Sequence, residues 1–185
     1  MKLLIRLTYV TIALLFISYL ALPNSEFPDP PRGAVQSLEP ADSETPLRRA
    51  YFTDLSRSEV ISHYQSEFVT DIFGNKLANY RLNYPPEEAY GLIRDQTRST
   101  YLEEVIYPLR ESVFVNGFEP SSAKDEIIIE GVRYNQKITV RHYPSNRASR
   151  VIVGIVVSII FYVVLSVYIK EIIQLSKLIK HKIWQ

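Results

Sequence analysis

A chain of 185 residues has room for one ordinary domain and its anchoring segments, not for two enzyme-sized domains. Its 21 Lys and Arg against 20 Asp and Glu give a formal charge of +1, which argues against the clustered basic face that nucleic acid demands. With no cysteine, disulfides, thiolate chemistry and cysteine-ligated zinc are excluded.

Lys2 and Arg6 precede an apolar run at 7–22 whose only polarity is hydroxyl groups. The run suits either a short membrane helix or the apolar region of a signal peptide. A cut after Ala21 would put Tyr19 where a signal peptidase wants a small residue, so an uncleaved anchor over 1–22 is favoured. Two bases before the run, with Glu26 and Asp29 just after it, place the N-terminus in the cytoplasm and the following residues outside. Residues 23–46 carry six prolines and five acids against one base. They read as a semi-extended linker that could reach roughly 70 Å, with 35–38 the one stretch suited to an ordered arm on a domain surface.

Residues 47–150 balance fourteen acids with fourteen bases and have the look of a folded domain. Residues 49–53 are aromatic and extended, as in a short strand. Ser56-Arg57-Ser58-Glu59 fits a capping box, and Val60, Ile61, Tyr64 and Phe68 then recur at helical spacing, giving one buried stripe. From Lys76 the period changes to two, with Ala78, Tyr80, Leu82 and Tyr84 on one side of a half-buried strand. Pro85-Pro86 with Glu87-Glu88 predicts a helix start, with Ala89, Leu92, Ile93 and Gln96 inward. A second capping box, Thr100-Tyr101-Leu102-Glu103, predicts another short helix before Pro108. Residues 111–115 then read as a strand running into a tight Asn116-Gly117 turn. Residues 126–130, with three consecutive isoleucines, read as a central strand, Gly131 as a turn, and 132–143 as the returning strand. Together these elements predict a small α+β domain, an antiparallel or mixed sheet with helices on one face.

An uncharged run at 151–169 follows, nineteen residues that as a helix cover about 28 Å, close to the hydrocarbon thickness of a bilayer. It predicts a second membrane span, with the basic tail at 170–185 continuing the helix and then lying on the anionic inner surface. Arg147 and Arg150 just outside the run are placed to meet lipid phosphates. Gly154 and Ser158 form a small-x-x-x-small pair that Tyr162 and Ser166 continue, while Thr8, Thr11 and Ser18 line one face of the first anchor. Small and hydroxylated residues allow close approach, so the two anchors are expected to touch each other or a partner along these stripes.

Chemistry-bearing residues are sparse. Ser121-Ser122-Ala123-Lys124 has a serine-x-x-lysine spacing but sits in a loop without the partner motifs such an enzyme needs. His63 and His142 lack further ligands at metal spacing, and the adjacent acids Glu87-Glu88, Glu103-Glu104 and Asp125-Glu126 diverge on a strand or helix. No catalytic group, metal or cofactor is expected. The best binding candidate is Arg94-Asp95-Gln96-Thr97-Arg98. Arg94 and Arg98 stand one helical turn apart, either neutralised by Asp95 or forming a fork for a carboxylate or phosphate, with Tyr101 among the nearby tyrosines.

The stretches Arg81-Leu82-Asn83-Tyr84-Pro85-Pro86, Ile93-Arg94-Asp95-Gln96-Thr97-Arg98 and Asn116-Gly117-Phe118-Glu119-Pro120 resemble a family of small two-span membrane proteins of candidate-phylum bacteria with reduced genomes. That resemblance implies a bacterial cytoplasmic membrane location and an outward-facing domain, and it implies no activity. The expectation is a non-enzymatic protein anchored twice in the membrane. Its outer domain would bind an envelope protein or a second copy of itself, as an accessory or assembly subunit, with lipids as the other contact. A wall-glycan binding module or a regulator resembling polysaccharide co-polymerases is the alternative.

Overall fold

The computed structural model describes residues 2–85 and 99–183. The chain forms two compact units, Pro23–Ser145 on the one hand and Met1–Leu22 with Asn146–Gln185 on the other.

The unit Pro23–Ser145 is α+β, built on a six-stranded sheet. Its strands are β1 (Val35–Gln36), β2 (Arg48–Thr53), β5 (Tyr80–Tyr84), β6 (Tyr101–Tyr107), β7 (Glu111–Phe118) and β10 (Gln136–Pro144), in the order β1-β2-β10-β7-β6-β5. All pairings are antiparallel. Two separate hairpins, β3 (Thr70–Ile72) with β4 (Asn75–Leu77) and β8 (Ile127–Ile129) with β9 (Val132–Tyr134), stand outside the sheet.

Helix α2 (Arg57–Glu67) begins at the expected capping box: the Ser56 hydroxyl accepts from the Glu59 amide, and the Glu59 carboxylate accepts from the Ser56 amide at 2.8 Å. The Ser56 hydroxyl, which also donates to the Glu59 carboxylate at 2.7 Å, and the Ser56 amide hold that carboxyl below its usual range. The stripe Val60, Ile61, Tyr64 and Phe68 is wholly buried against Tyr51, Val105, Val113, Val115, Ile138 and Val140 from one face of the sheet. That face is the core.

Several elements differ from the sequence expectation, each because partners remote in sequence decide them. The second capping box is not a helix start; 101–107 is strand β6, paired on both sides. The Thr100 hydroxyl donates to the Gly117 carbonyl at 3.1 Å and accepts from the Glu119 amide, while Tyr101, Glu103, Val105 and Tyr107 alternate onto the core face. Asn116-Gly117 is not a turn but lies inside β7, facing Leu102 and Tyr101 on one side and Thr139 and Ile138 on the other. The three isoleucines form no central strand. They close locally on Val132–Tyr134 through Glu130-Gly131, both at positive φ (51° and 80°), leaving Ile128 exposed and the central place to β10. Strand β5 is an edge whose apolar residues face outward, with Tyr80 and Leu82 exposed. The helix expected at 86–96 lies outside the described residues.

The proline-rich stretch 23–46 is not a free linker; it packs on the domain. Phe27 lies against the core under the Arg49 guanidinium (5.2 Å), Val35–Gln36 pairs with Phe52 and Tyr51, and a 3-10 turn at Pro40–Ser43 buries Asp42. Partial burial of the Lys137 ammonium works against its charge. Hydrogen bonds and the fields of Asp42 (2.7 Å) and Glu39 (2.9 Å) outweigh it and hold the group above its usual value. The folded domain therefore starts near Pro23 and not near residue 47, because Pro28, Pro31, Ser37 and Asp42 are buried on it and Val35–Gln36 extends its sheet, although most of the segment's charges stay in water.

The other unit holds α1 (Lys2–Leu20) and α3 (Arg147–Ile183), the latter continuing unbroken into the basic tail. Both carry apolar stretches long enough to cross a membrane, and only 6% of each is buried. Helices so exposed are unlike the core helix of a water-soluble fold. Arg150 does not point outward: its Nε donates to the Leu20 carbonyl at 2.5 Å and its guanidinium also reaches the Leu22 carbonyl. It satisfies carbonyls that the end of α1 leaves free.

Candidate functional site

Arg94, Asp95 and Arg98 lie outside the described residues. Tyr101 does not; it is buried to 2% exposure and unavailable to a partner. The ring packs beneath the Arg57 guanidinium at 4.8 Å, and its hydroxyl donates to Gln136 Oε1 at 2.6 Å. Burial pushes the phenol well above its ordinary value; Glu119 and Glu103 add to this and Arg57 opposes it. The sequence signal for this burial is the alternation Tyr101, Glu103, Val105, Tyr107, which fits a strand as well as the capping box fits a helix.

Two charged clusters that sequence reasoning misses sit within the core face. Glu103 is fully buried between Arg57, whose Nε donates to Oε1 at 2.6 Å, and Arg81, which bonds both carboxylate oxygens. At the other end of the same strands Arg110 donates to Glu111 Oε1 at 2.9 Å, while Glu111 Oε2 accepts from the Ser25 amide at 2.9 Å and faces His142 Nε2 at 3.3 Å. Arg110 also donates to the Pro23 carbonyl at 2.6 Å, and the Asn24 side-chain Nδ2 to the Ser145 carbonyl at 2.9 Å. The chain therefore enters and leaves the domain side by side at this cluster. Both clusters act as ties: each carboxylate oxygen already meets a protein donor, so neither presents a free base to a substrate.

His63 Nε2 bonds the Asp29 carbonyl at 2.9 Å, and Ser122 bonds Asp125 at 2.8 Å. Glu104 faces away from Glu103 and accepts from the Tyr84 hydroxyl. Among the described residues no group of three His, Cys, Asp or Glu could hold a metal ion.

The surface that remains is the second face of the sheet. Over β2 it is closed, with Arg48, Ala50, Phe52 and Thr139 buried. Over β5, β6, β7 and the end of β10 it carries a row of rings, Tyr84 to Phe114 at 6.0 Å and Phe114 to Tyr143 at 5.4 Å, with the Arg141 guanidinium 5.4 Å from Tyr143. Leu102 is buried beneath Tyr84 and Phe114. Alternation along β5 adds Leu82 and Tyr80 to this side, and Tyr80, Leu82 and Tyr143 are 60%, 43% and 42% exposed. Aromatic rings with an arginine at the margin are the composition of contact surfaces.

In the helical unit the stripe Gly154, Ser158, Tyr162 and Ser166 does face α1. Gly154 is buried against Leu20, so close that a Cβ there would lie 2.4 Å from Leu20 Cδ1 and 3.7 Å from Phe16 Cε1. The Tyr9 hydroxyl donates to the Ser158 carbonyl at 2.5 Å, and its ring packs on Tyr162 at 5.4 Å. Thr11 and Ser18 are on the wrong side of α1: both are exposed, and the Thr11 hydroxyl bonds back to the Leu7 carbonyl at 3.0 Å. Leu20, Phe16 and the Tyr9 ring with its hydroxyl, not Thr11 or Ser18, form the α1 side of the contact. Gly154→Leu is expected to part the helices at a cost of about 1–3 kcal/mol, since the added atoms have nowhere to go. Thermal unfolding of the detergent-solubilised protein measures this, with Gly154→Ala, which meets only the movable end of Leu20, losing far less.

Comparison of the chain with family models, curated proteins and solved structures finds no match.

Proposed function

We propose that the chain is a non-enzymatic protein anchored twice in the bacterial cytoplasmic membrane. Both termini are cytoplasmic, and the outer α+β domain binds another envelope protein as an accessory or assembly subunit. The observation that carries this reading is the aromatic row of half-buried Tyr84 and Phe114 and exposed Tyr143, with exposed Tyr80 and Leu82 beside it, a patch of a kind that isolated soluble domains keep small. Charged groups on the opposite face are consumed by internal pairing, which leaves contact rather than chemistry as the role of the surface.

The test is a photoreactive residue placed at Tyr80 or Leu82 in intact membranes. A single defined adduct should form there, should be absent from a probe at exposed Glu67, and should disappear when Tyr143→Asp is added. Monomer alone in every sample would sink the reading. The same row is also a flat surface on which the apolar faces of sugar rings could lie; retention on purified wall glycan, lost in Tyr143→Asp, would favour that alternative. Sidedness is checked separately, since the chain has no native cysteine. A cysteine introduced in place of Ser121 is expected to react with a membrane-impermeant thiol reagent in whole spheroplasts, and one in place of Ser176 only after lysis.

A further inference from the structure

Tyr9 stands between α1 and α3 as a wedge, its ring on Tyr162 and 6.2 Å from Phe161. Towards the C-terminal end of α1 the helices close on Gly154; on the other side of Tyr9 a groove of about 270 Å³ opens between them. Its walls are the apolar Ile5, Leu165, Ile169 and Ile173 with the polar Ser166 and Gln174, and Arg6 and Lys170 both stand at it. Two exposed cations thus border one mostly apolar slot where the two uncharged runs 7–22 and 151–169 end. Glu171, next to Lys170 in the chain, does not line it.

We propose that this groove is a binding site for one anionic phospholipid, its phosphate held between Arg6 and Lys170 and an acyl chain lying along the slot. The inference rests on the two-span reading. The isoleucine and leucine walls suit an acyl chain, which a free inorganic anion would leave unfilled, and two cations at one groove disfavour a second copy of the same helices, which would bring its own Arg6 and Lys170. A single amphiphile with a negative head satisfies both. Guanidinium and ammonium groups at this level of a membrane helix extend to the headgroup layer, so the charges need not be drawn into hydrocarbon.

The test uses the full-length protein in nanodiscs of phosphatidylcholine with a minority of phosphatidylglycerol, reading the lipids retained by native mass spectrometry. Wild type is expected to keep one phosphatidylglycerol per chain. Arg6→Gln with Lys170→Gln should lower that retention by about tenfold or more, given roughly 1 kcal/mol per basic residue near an anionic surface. Lys177→Gln with Lys180→Gln, an equal loss of charge in the tail, should leave it unchanged.

Equal loss in both variants would show diffuse charge attraction and overturn the proposal. So would displacement of the lipid by millimolar inorganic phosphate, or a photoprobe at Ile169 that yields only dimers. Failure of the two-span reading looks different: alkaline carbonate would then release the wild-type chain from membranes, whereas an inserted chain without phosphatidylglycerol preference sinks this inference alone.

Discussion

Glu111→Gln is expected to destabilise the protein by about 3–5 kcal/mol, the cost of leaving a buried charge without its counter-ion. The Arg110 and Glu111 side chains are fully buried and His142 nearly so, and this one carboxylate meets Arg110, the Ser25 amide and the His142 ring. Glutamine fills the same space but puts an amide N–H against either the Arg110 or the Ser25 donor, which meet different oxygens of the carboxylate. The expected reading is a fall of about 10 °C or more in the unfolding temperature of the detergent-solubilised chain, at several degrees per kcal/mol for a unit of this size. Glu104→Gln, on the partly exposed opposite face, should move it by far less. A second measurement separates local from general loss. Because Ser25 and Pro23 are both held at this cluster, Glu111→Gln should hasten trypsin cleavage after exposed Arg32 before the sheet melts. Unchanged melting and unchanged cleavage would mean that the cluster does not hold the arm.

Gly117→Val is the second large effect, expected at about 3 kcal/mol, the upper end of what insertion of bulk into a packed core costs. A Cβ at 117 would lie 2.1 Å from Tyr101 Cε1, a distance no real pair of carbons adopts, and the Tyr101 ring is buried with its hydroxyl tied to Gln136. Overpacking costs about 1–3 kcal/mol, and displacement of the ring adds about 1 kcal/mol for the hydrogen bond. The two residues are one packing unit, so their substitutions should not add. Tyr101→Ala alone leaves a cavity costing about 3–5 kcal/mol, which the side chain introduced by Gly117→Val would partly fill. A double-mutant cycle by thermal unfolding therefore reads a double variant more stable than the sum of the singles predicts. Simple additivity would mean that Gly117 is small for some other reason.

These two sites also bear on function. Charged and aromatic residues that invite a catalytic or binding reading, Glu103, Arg110, Glu111, His142 and Tyr101, are the ones most completely enclosed. What the domain offers outward is the row from Tyr80 and Tyr84 to Tyr143. Half of that row is visible in the sequence as the alternation along β5, which suggests an interior side where the structure has an exposed one. The reason is general: period two says that one side of a strand is apolar, and says nothing about whether that side meets a helix, a partner or water.

The amino-acid order by itself determined the elements whose physics is local. Two apolar runs make membrane-length helices because neither carries a charge and most residues within each favour hydrocarbon. The serine and glutamate around Arg57 open α2 because a cap is satisfied within four residues. Strand β2 and the stripe Val60 to Phe68 were legible for the same reason. Tertiary structure alone decided what depends on groups arriving from far along the chain. Asn116-Gly117 is extended because Leu102 and Thr139 supply ladder partners on both sides, and Thr100 caps no helix because the Gly117 carbonyl is there to receive its hydroxyl. Residues 23–46 are held because Glu111, Arg110 and β2 offer them donors and acceptors, and Arg150 turns inward to the open carbonyls at the end of α1. In each case a backbone polar group must be paired, and only the folded chain determines which remote atom does the pairing.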